Sequence, residues 1–349
     1  MGVDGALGHG TQPSPCTWVE QADITSMRTA PRVHAHDDRT GLRTFPSRAE
    51  EEARVTNHGA LLDLEIDDVE YVRHGSLALL TRIYRPHGPG PFPIVVDVHG
   101  GAWWMGDRLT DTVIDQPLAE SGVVVASLDF RMPPAASYPA SMADVNYAIR
   151  WLKAHASELN ARSDLVGILG VSSGGHQAML AAMRPRDPRY CALPLPAGSA
   201  AVDGVVRCVV LVSPVIDPLA RYHYARDLKA AGTPYPDFVD RVLPGHDLYW
   251  QTEQAMCEGN PVLALERGEQ VELPPVLCIQ GTADPAHPRA DIDRFVALYR
   301  RAGGTVDLEL CEGADNHFML ETPNAPTARS ALRRIIQFVH GELSLRRKQ

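Results

Sequence analysis

The stretch Leu165-Val166-Gly167-Ile168-Leu169-Gly170-Val171-Ser172-Ser173-Gly174-Gly175-His176 is an apolar run that breaks into Gly-x-Ser-x-Gly, and residues 177–183 after it suit a helix. A β-rich segment that changes to helical residues through glycines predicts a sharp strand-turn-helix corner. At such a corner the serine backbone is strained, and Gly170 and Gly174 leave room for the tight turn. Ser172 then stands exposed above the sheet, with the amides of the next helix beneath it. That is a nucleophile's position. A glycine-rich turn that only packs tightly, or one that binds a phosphate, has the same local pattern, so the decision rests on the rest of the chain.

Outward from this corner the chain keeps one rhythm. Alternating runs at 69–73 and 77–84 flank His74-Gly75-Ser76, a hairpin turn. Residues 94–98 and 123–128 read as buried strands, with helical residues near 111–120 and 141–155. Beyond the corner, strand-like runs at 208–212, 276–279 and 306–310 are joined by helices over 286–302 and 325–340. Two antiparallel-type strands and about six more separated by helices predict a doubly wound, mostly parallel eight-stranded α/β sheet. Strand character stops between 214 and 274, which reads as a cap-like insertion. At least half of its aromatics (Tyr222, Tyr224, Tyr235, Phe238, Tyr249 and Trp250) are expected to pack the cap onto the body. Residues 1–64 read as an N-terminal extension belonging to the cap, and 65–349 as the main domain.

Composition narrows the classes. With 44% apolar and 22% charged residues in 349, the chain can bury a large core. A formal net charge of −10 disfavours a nucleic-acid partner, and Arg346-Arg347-Lys348 reads as a solvated tail. No apolar run reaches bilayer length, and residues 1–20 lack the apolar core of a signal peptide, so neither membrane insertion nor export is expected. Six cysteines without Cys-x-x-Cys spacing fit a reduced, cytoplasmic protein without a metal site. A homodimer is one assembly this reading allows.

In doubly wound sheets ligands bind outside the carboxyl ends of the strands, so the polar residues just after each strand matter most. After the strand at 94 comes His99-Gly100-Gly101-Ala102-Trp103-Trp104. Its small residues let backbone N–H groups approach a ligand, as an oxyanion requires. We assign an oxyanion hole to the amides of Gly101, Ala102 and Ser173, with His99 fixing the loop by hydrogen bonding. Gly100 and Trp103 are the candidate substrate contacts, Trp103 as pocket wall. After the strand at 276 comes Gly281-Thr282-Ala283-Asp284-Pro285, whose carboxylate can orient a histidine. After the last strand comes Asp315-Asn316-His317, and a histidine there can reach Ser172 as general base. The expected catalytic set is therefore Ser172, Asp284 and His317. Asp315 is read as structural, and His287 is the competing base.

These residues together resemble the α/β-hydrolase superfamily, specifically its esterase branch related to hormone-sensitive lipase and to bacterial feruloyl and acetyl esterases. The resemblance covers about residues 65–340. It is carried by His99-Gly100-Gly101-Ala102-Trp103, Gly170-Val171-Ser172-Ser173-Gly174-Gly175, Asp284 and Asn316-His317-Phe318, with Asp129-Phe130-Arg131, Tyr138-Pro139 and Asp144 in support. Two departures stand out: Ala102 where many relatives carry a third glycine, and Val171-Ser172-Ser173 where Asp-Ser-Ala is frequent. The resemblance implies a serine carboxylesterase acting on small to medium esters through an acyl-enzyme, with no metal and no organic cofactor. An arylformamidase-like amidase would use the same residues. A non-catalytic receptor on this fold is the different-class alternative.

Overall fold

The chain enters the sheet through a hairpin, β1 (Leu64–His74) and β2 (Leu77–Pro86), joined where Gly75 takes φ 60°. The structure is a computed structural model that describes residues 61–344. The N-terminal extension up to residue 60 and the basic tail lie outside the described residues. Six further strands complete the sheet: β3 (Phe92–Val98), β4 (Val124–Leu128), β5 (Ala161–Val171), β6 (Val209–Val212), β7 (Val276–Gly281) and β8 (Val306–Cys311). Their order is β1-β2-β4-β3-β5-β6-β7-β8. The β1–β2 and β2–β4 pairs are antiparallel and all others parallel, as expected from the strand rhythm.

Successive strand residues face opposite layers, which explains why the central strands read as continuous apolar runs. From β3, Ile94, Val96 and Val98 join one buried core with Ile168 of β5. Their partners there come from α2 (Ala140–Ala154), through Met142, Val145 and Ile149, and α3 (Ser173–Met183), through Leu180. Val95, Leu169, Val210 and Leu277 face the other layer. It is built from α1 (Thr112–Glu120) with Ile114 and Leu118, and from the C-terminal helix Pro326–Leu343 with Ile335 and Val339.

Between β6 and β7 lie four helices where strand character stops: α4 (Pro218–Ala230), α5 (Phe238–Trp250), α6 (Glu253–Glu258) and α7 (Pro261–Glu266). Asp217 caps α4 by accepting the Ala220 N–H at 2.9 Å. Phe238, Val239, Val242 and Leu243 of α5 pack with Ala102, just beyond β3, and Ala286, just beyond β7. Tyr249, Trp250 and Met256 cluster with Trp103. The insertion therefore lies over the carboxyl ends of the parallel strands, and several of its aromatics are packing residues. Helices α8 (Arg289–Arg301), α9 (Phe318–Glu321) and α10 (Pro326–Leu343) complete the described chain.

Cys191, Cys208, Cys278 and Cys311 are free thiols, whereas Cys257 is disulfide-bonded, which departs from the expectation of a wholly reduced chain. Among the described residues, no helix is long and apolar enough to cross a membrane.

Candidate active site

Strand register brings the site together. Val98 pairs with Gly170, Val171 with Val212, Val212 with Ile279, and Gly281 with Cys311. The loops that leave β3, β5, β7 and β8 therefore emerge side by side. Ser172 sits at the β5–α3 corner with φ 52° and ψ −115°, a positive-φ conformation that a serine adopts only under constraint. The constraint is visible. The Ser172 N–H donates to Val212 O at 2.9 Å, and its carbonyl accepts from the N–H groups of Val215 (2.9 Å) and His176 (3.3 Å). The start of α3 also crowds β3, since a Cβ on Gly174 would lie 1.8 Å from Val98 O.

The 99–105 loop turns back on itself through three positive φ values, 111° at Gly101, 52° at Ala102 and 66° at Trp103. A Cβ on Gly101 would stand 2.0 Å from Met105 O, so only glycine fits there. His99 is buried, bonds Gly100 O through Nδ1 at 2.7 Å and stacks on Phe130, consistent with a loop-fixing role. Gly100 lies against the serine, because a Cβ there would come 3.4 Å from Ser172 Cβ. The Trp103 N–H donates to Ser173 Oγ at 3.1 Å. The N–H groups of Gly101, Ala102 and Ser173 have no acceptor among the described residues. Three backbone donors beside a hydroxyl suit a developing oxyanion.

Ser172 Oγ lies 3.1 Å from His287 Nε2, and His287 Nδ1 lies 2.9 Å from Asp284 Oδ2. An imidazole that donates from Nδ1 to a carboxylate leaves Nε2 free to accept the serine proton. Asp284 is fully engaged: Oδ1 accepts the N–H groups of Ala286 (2.8 Å) and His287 (3.0 Å), and Oδ2 also accepts from Gln280 Nε2 at 2.7 Å. Burial pushes the Asp284 carboxyl up, yet the adjacent imidazole and these hydrogen bonds outweigh it and hold it below its usual value. Burial also draws His287 below 6.5, against the opposing pull of Asp284.

The expected partnership between Asp284 and His317 is not what the structure brings together. His317 ends up 3.4 Å from Arg241 Nη2 and 3.4 Å from Glu321 Oε1, and its side chain is 34% exposed. The reason is local: three residues after Asp284 the chain folds back and fills both carboxylate oxygens with its own groups, leaving no acceptor for a second loop. His317 nonetheless lines the same cavity as Ser172 and His287. Asp315, read as structural, accepts the His317 N–H at 2.9 Å.

That cavity measures about 230 Å³ and is bordered by Gly100, Gly101 and Ala102, with Arg221, Arg241 and Val242 entering from the insertion. Trp103 is not among its lining residues, which corrects its reading as a pocket wall. Its indole is 1% exposed, stacks on Tyr249 at 5.5 Å and donates to His176 Nδ1 at 3.3 Å. With its faces and its N–H satisfied by protein, the ring is part of the packing beneath the insertion. Sequence reasoning does not find the two arginines, because α4 and α5 read there only as insertion, with no strand end to mark them. No group of three or more His, Cys, Asp or Glu side chains suited to holding a metal occurs among the described residues.

The architecture is that of an α/β-hydrolase, and solved structures agree on the fold. The Pyrobaculum calidifontis esterase superimposes with a TM-score of 0.64 at 21% identity, covering 84% of this chain and 90% of that one. The metagenomic carboxylesterase EstE1 gives 0.65 at 22%, covering 85% and 95%. The BD-FAE family model matches residues 82–296, and the chain belongs to that family. Esterase LipC of Mycobacterium tuberculosis is 29% identical over 224 residues, 62% of this chain and 52% of LipC. Esterase LipQ of the same organism is 28% identical over 275 residues, 77% of this chain and 60% of LipQ. The chain thus spans little more than half the length of these curated relatives.

Proposed function

We propose that the protein is a serine carboxylesterase that hydrolyses small to medium carboxylic esters in two steps. The observation that carries this reading is the continuous hydrogen-bonded set Ser172–His287–Asp284 beside free backbone amides. His287 removes the Ser172 proton as the oxygen attacks the ester carbonyl, and Asp284 stabilises the resulting imidazolium. The amides of Gly101, Ala102 and Ser173 hold the tetrahedral oxyanion, each contributing roughly 3 kcal/mol to lowering the barrier. His287 returns the proton to the departing alcohol, the carbon–oxygen bond breaks, and an acyl group remains on Ser172. Water, deprotonated by the same imidazole, then releases the acid. The insertion at 214–274 acts as a cap over this chemistry. Relatives named as esterases favour an ester over an amide substrate.

A second reading gives the base role to His317, since it lines the same cavity and lies just beyond the last strand. Replacing each histidine separately distinguishes the two.

The first experiment is hydrolysis of p-nitrophenyl esters from acetate to decanoate by the wild type and by Ser172→Ala, with a fluorophosphonate label read by intact mass. We expect turnover of short chains, one label per chain on Ser172, and a loss of roughly 10⁴-fold or more in the variant, which should remain folded. Undiminished turnover in Ser172→Ala would overturn the assignment.

A further inference from the structure

The insertion contributes two cations to the cavity, and one of them is buried without a salt-bridge partner among the described residues. Arg221, on α4, is 2% exposed, and its Nε and Nη1 have no hydrogen-bond partner among the described residues. It makes no ion pair among the described residues. The Trp103 ring lies 6.0 Å from its guanidinium carbon. Asp284 is close enough to act on it electrostatically but is occupied by His287, Gln280 and the 286–287 amides. Arg241, on α5, is exposed, and the one hydrogen-bond partner its side chain has among the described residues is His317 Nε2. Among the described residues, those lining the cavity include both arginines, Ser172 and His287, and no aspartate or glutamate.

That distribution runs against the rest of the molecule. The chain has 43 acidic against 33 basic residues, and elsewhere arginines such as Arg82, Arg131 and Arg184 are paired with carboxylates. A desolvated guanidinium with unfilled donors is unfavourable unless something supplies the acceptors. Its planar fork matches a carboxylate in particular. Arg221 borders the cavity of about 230 Å³ that holds the Ser172 hydroxyl and, on another side, a far smaller one of about 10 Å³ that Asp217 and Asp291 also line.

Resting on the esterase reading, we propose that the substrate carries a carboxylate as well as the scissile ester, and that Arg221, helped by Arg241, binds that carboxylate. The bound anion completes the hydrogen bonding of Arg221 and orients the ester carbonyl toward Gly101, Ala102 and Ser173. The product of hydrolysis would then be a dicarboxylic acid or a carboxylated alcohol, according to which half carries the charge.

The test compares esters matched in length. In the acyl arm, p-nitrophenyl hydrogen succinate, glutarate and adipate are set against p-nitrophenyl butyrate, pentanoate and hexanoate. In the alcohol arm, 4-acetoxybenzoate is set against its methyl ester. We expect kcat/KM to favour the anion by tenfold or more in one arm, and that arm shows which half faces Arg221. Arg221→Met should reduce the preference to within about twofold while neutral esters are still turned over, and Arg241→Met should reduce it by less. Met matches the volume of the buried stem without the charge, so the thermal unfolding temperature of the variant should not fall. Were Arg221→Met to fail to fold, the wild-type comparison and Arg241→Met would still decide. Neutral esters hydrolysed equally well or better in both arms overturn this proposal alone. No Ser172-dependent hydrolysis of either class overturns it together with the esterase reading.

Discussion

Two loops at the carboxyl end of the sheet each carry an aspartate with a histidine within the next three residues, and they reach opposite environments. After β7, Asp284-Pro285-Ala286-His287 closes into a turn whose carboxylate is filled by its own loop and whose imidazole is 3% exposed and bonded to Ser172. After β8, Asp315-Asn316-His317 uses its carboxylate to hold the His317 backbone, and the ring stays a third exposed between Arg241 and Glu321. Sequence spacing is nearly the same. The loops differ in which group the carboxylate meets, a ring nitrogen in one case and a backbone N–H alone in the other. Only the first arrangement sets a tautomer and a ring orientation.

The strongest way to break this comparison is to remove each ring in turn. His287→Asn is expected to lower kcat/KM for p-nitrophenyl butyrate by roughly 10³- to 10⁴-fold, leaving the residual rate that oxyanion stabilisation and binding sustain. His317→Asn, at a partly exposed ring with two long contacts, is expected to cost less than about tenfold. The reverse ranking would hand the base role to His317 and make the Ser172–His287 contact a resting arrangement.

The aspartates sharpen the same contrast at smaller amplitude. Asp284→Asn keeps shape but no longer stabilises the imidazolium, so kcat should fall by roughly 10²- to 10⁴-fold with KM little changed. Asp315→Asn retains an oxygen to accept the His317 N–H and should stay within about threefold. A large loss at Asp315 with none at Asp284 would invert the reading of both loops.

The sheet is legible in the sequence because its parallel strands are buried on both faces and so read as unbroken apolar runs: Val95 and Val96 of β3 point to different cores yet are equally apolar. The serine corner is legible because its glycines and its change of period are local. Ser172, Asp284 and the 99–103 loop, which the structure brings to one end of the sheet, are singled out by inspecting the residues immediately beyond each strand. The choice between His287 and His317 is not, since it depends on how a four-residue turn folds back. Trp103 is misjudged because position next to an oxyanion loop does not say which way a ring is packed. Arg221 is invisible for a related reason: on a helix that reads as polar, an arginine is ordinarily solvated, and only the packing of the insertion over the strand ends buries it.

The finest test uses pH. His287 must be neutral to accept the Ser172 proton, so kcat/KM rises with pH through the free-enzyme pKa of that ring. Burial holds it below 6.5, with the Arg221 charge adding to the depression and Asp284 opposing both. The acid limb for a neutral ester should therefore be half-maximal below pH 6.5. Arg221→Met removes a nearby cation, the imidazolium becomes less unfavourable, and the limb should move to higher pH by a few tenths to about one unit. A shift in this direction, measured with p-nitrophenyl butyrate so that substrate charge plays no part, ties the titrating base to the buried loop. A limb that Arg221→Met leaves in place would separate the titrating base from the buried loop, whereas a displacement by His317→Asn alone would not, because His317 also depresses the His287 imidazole.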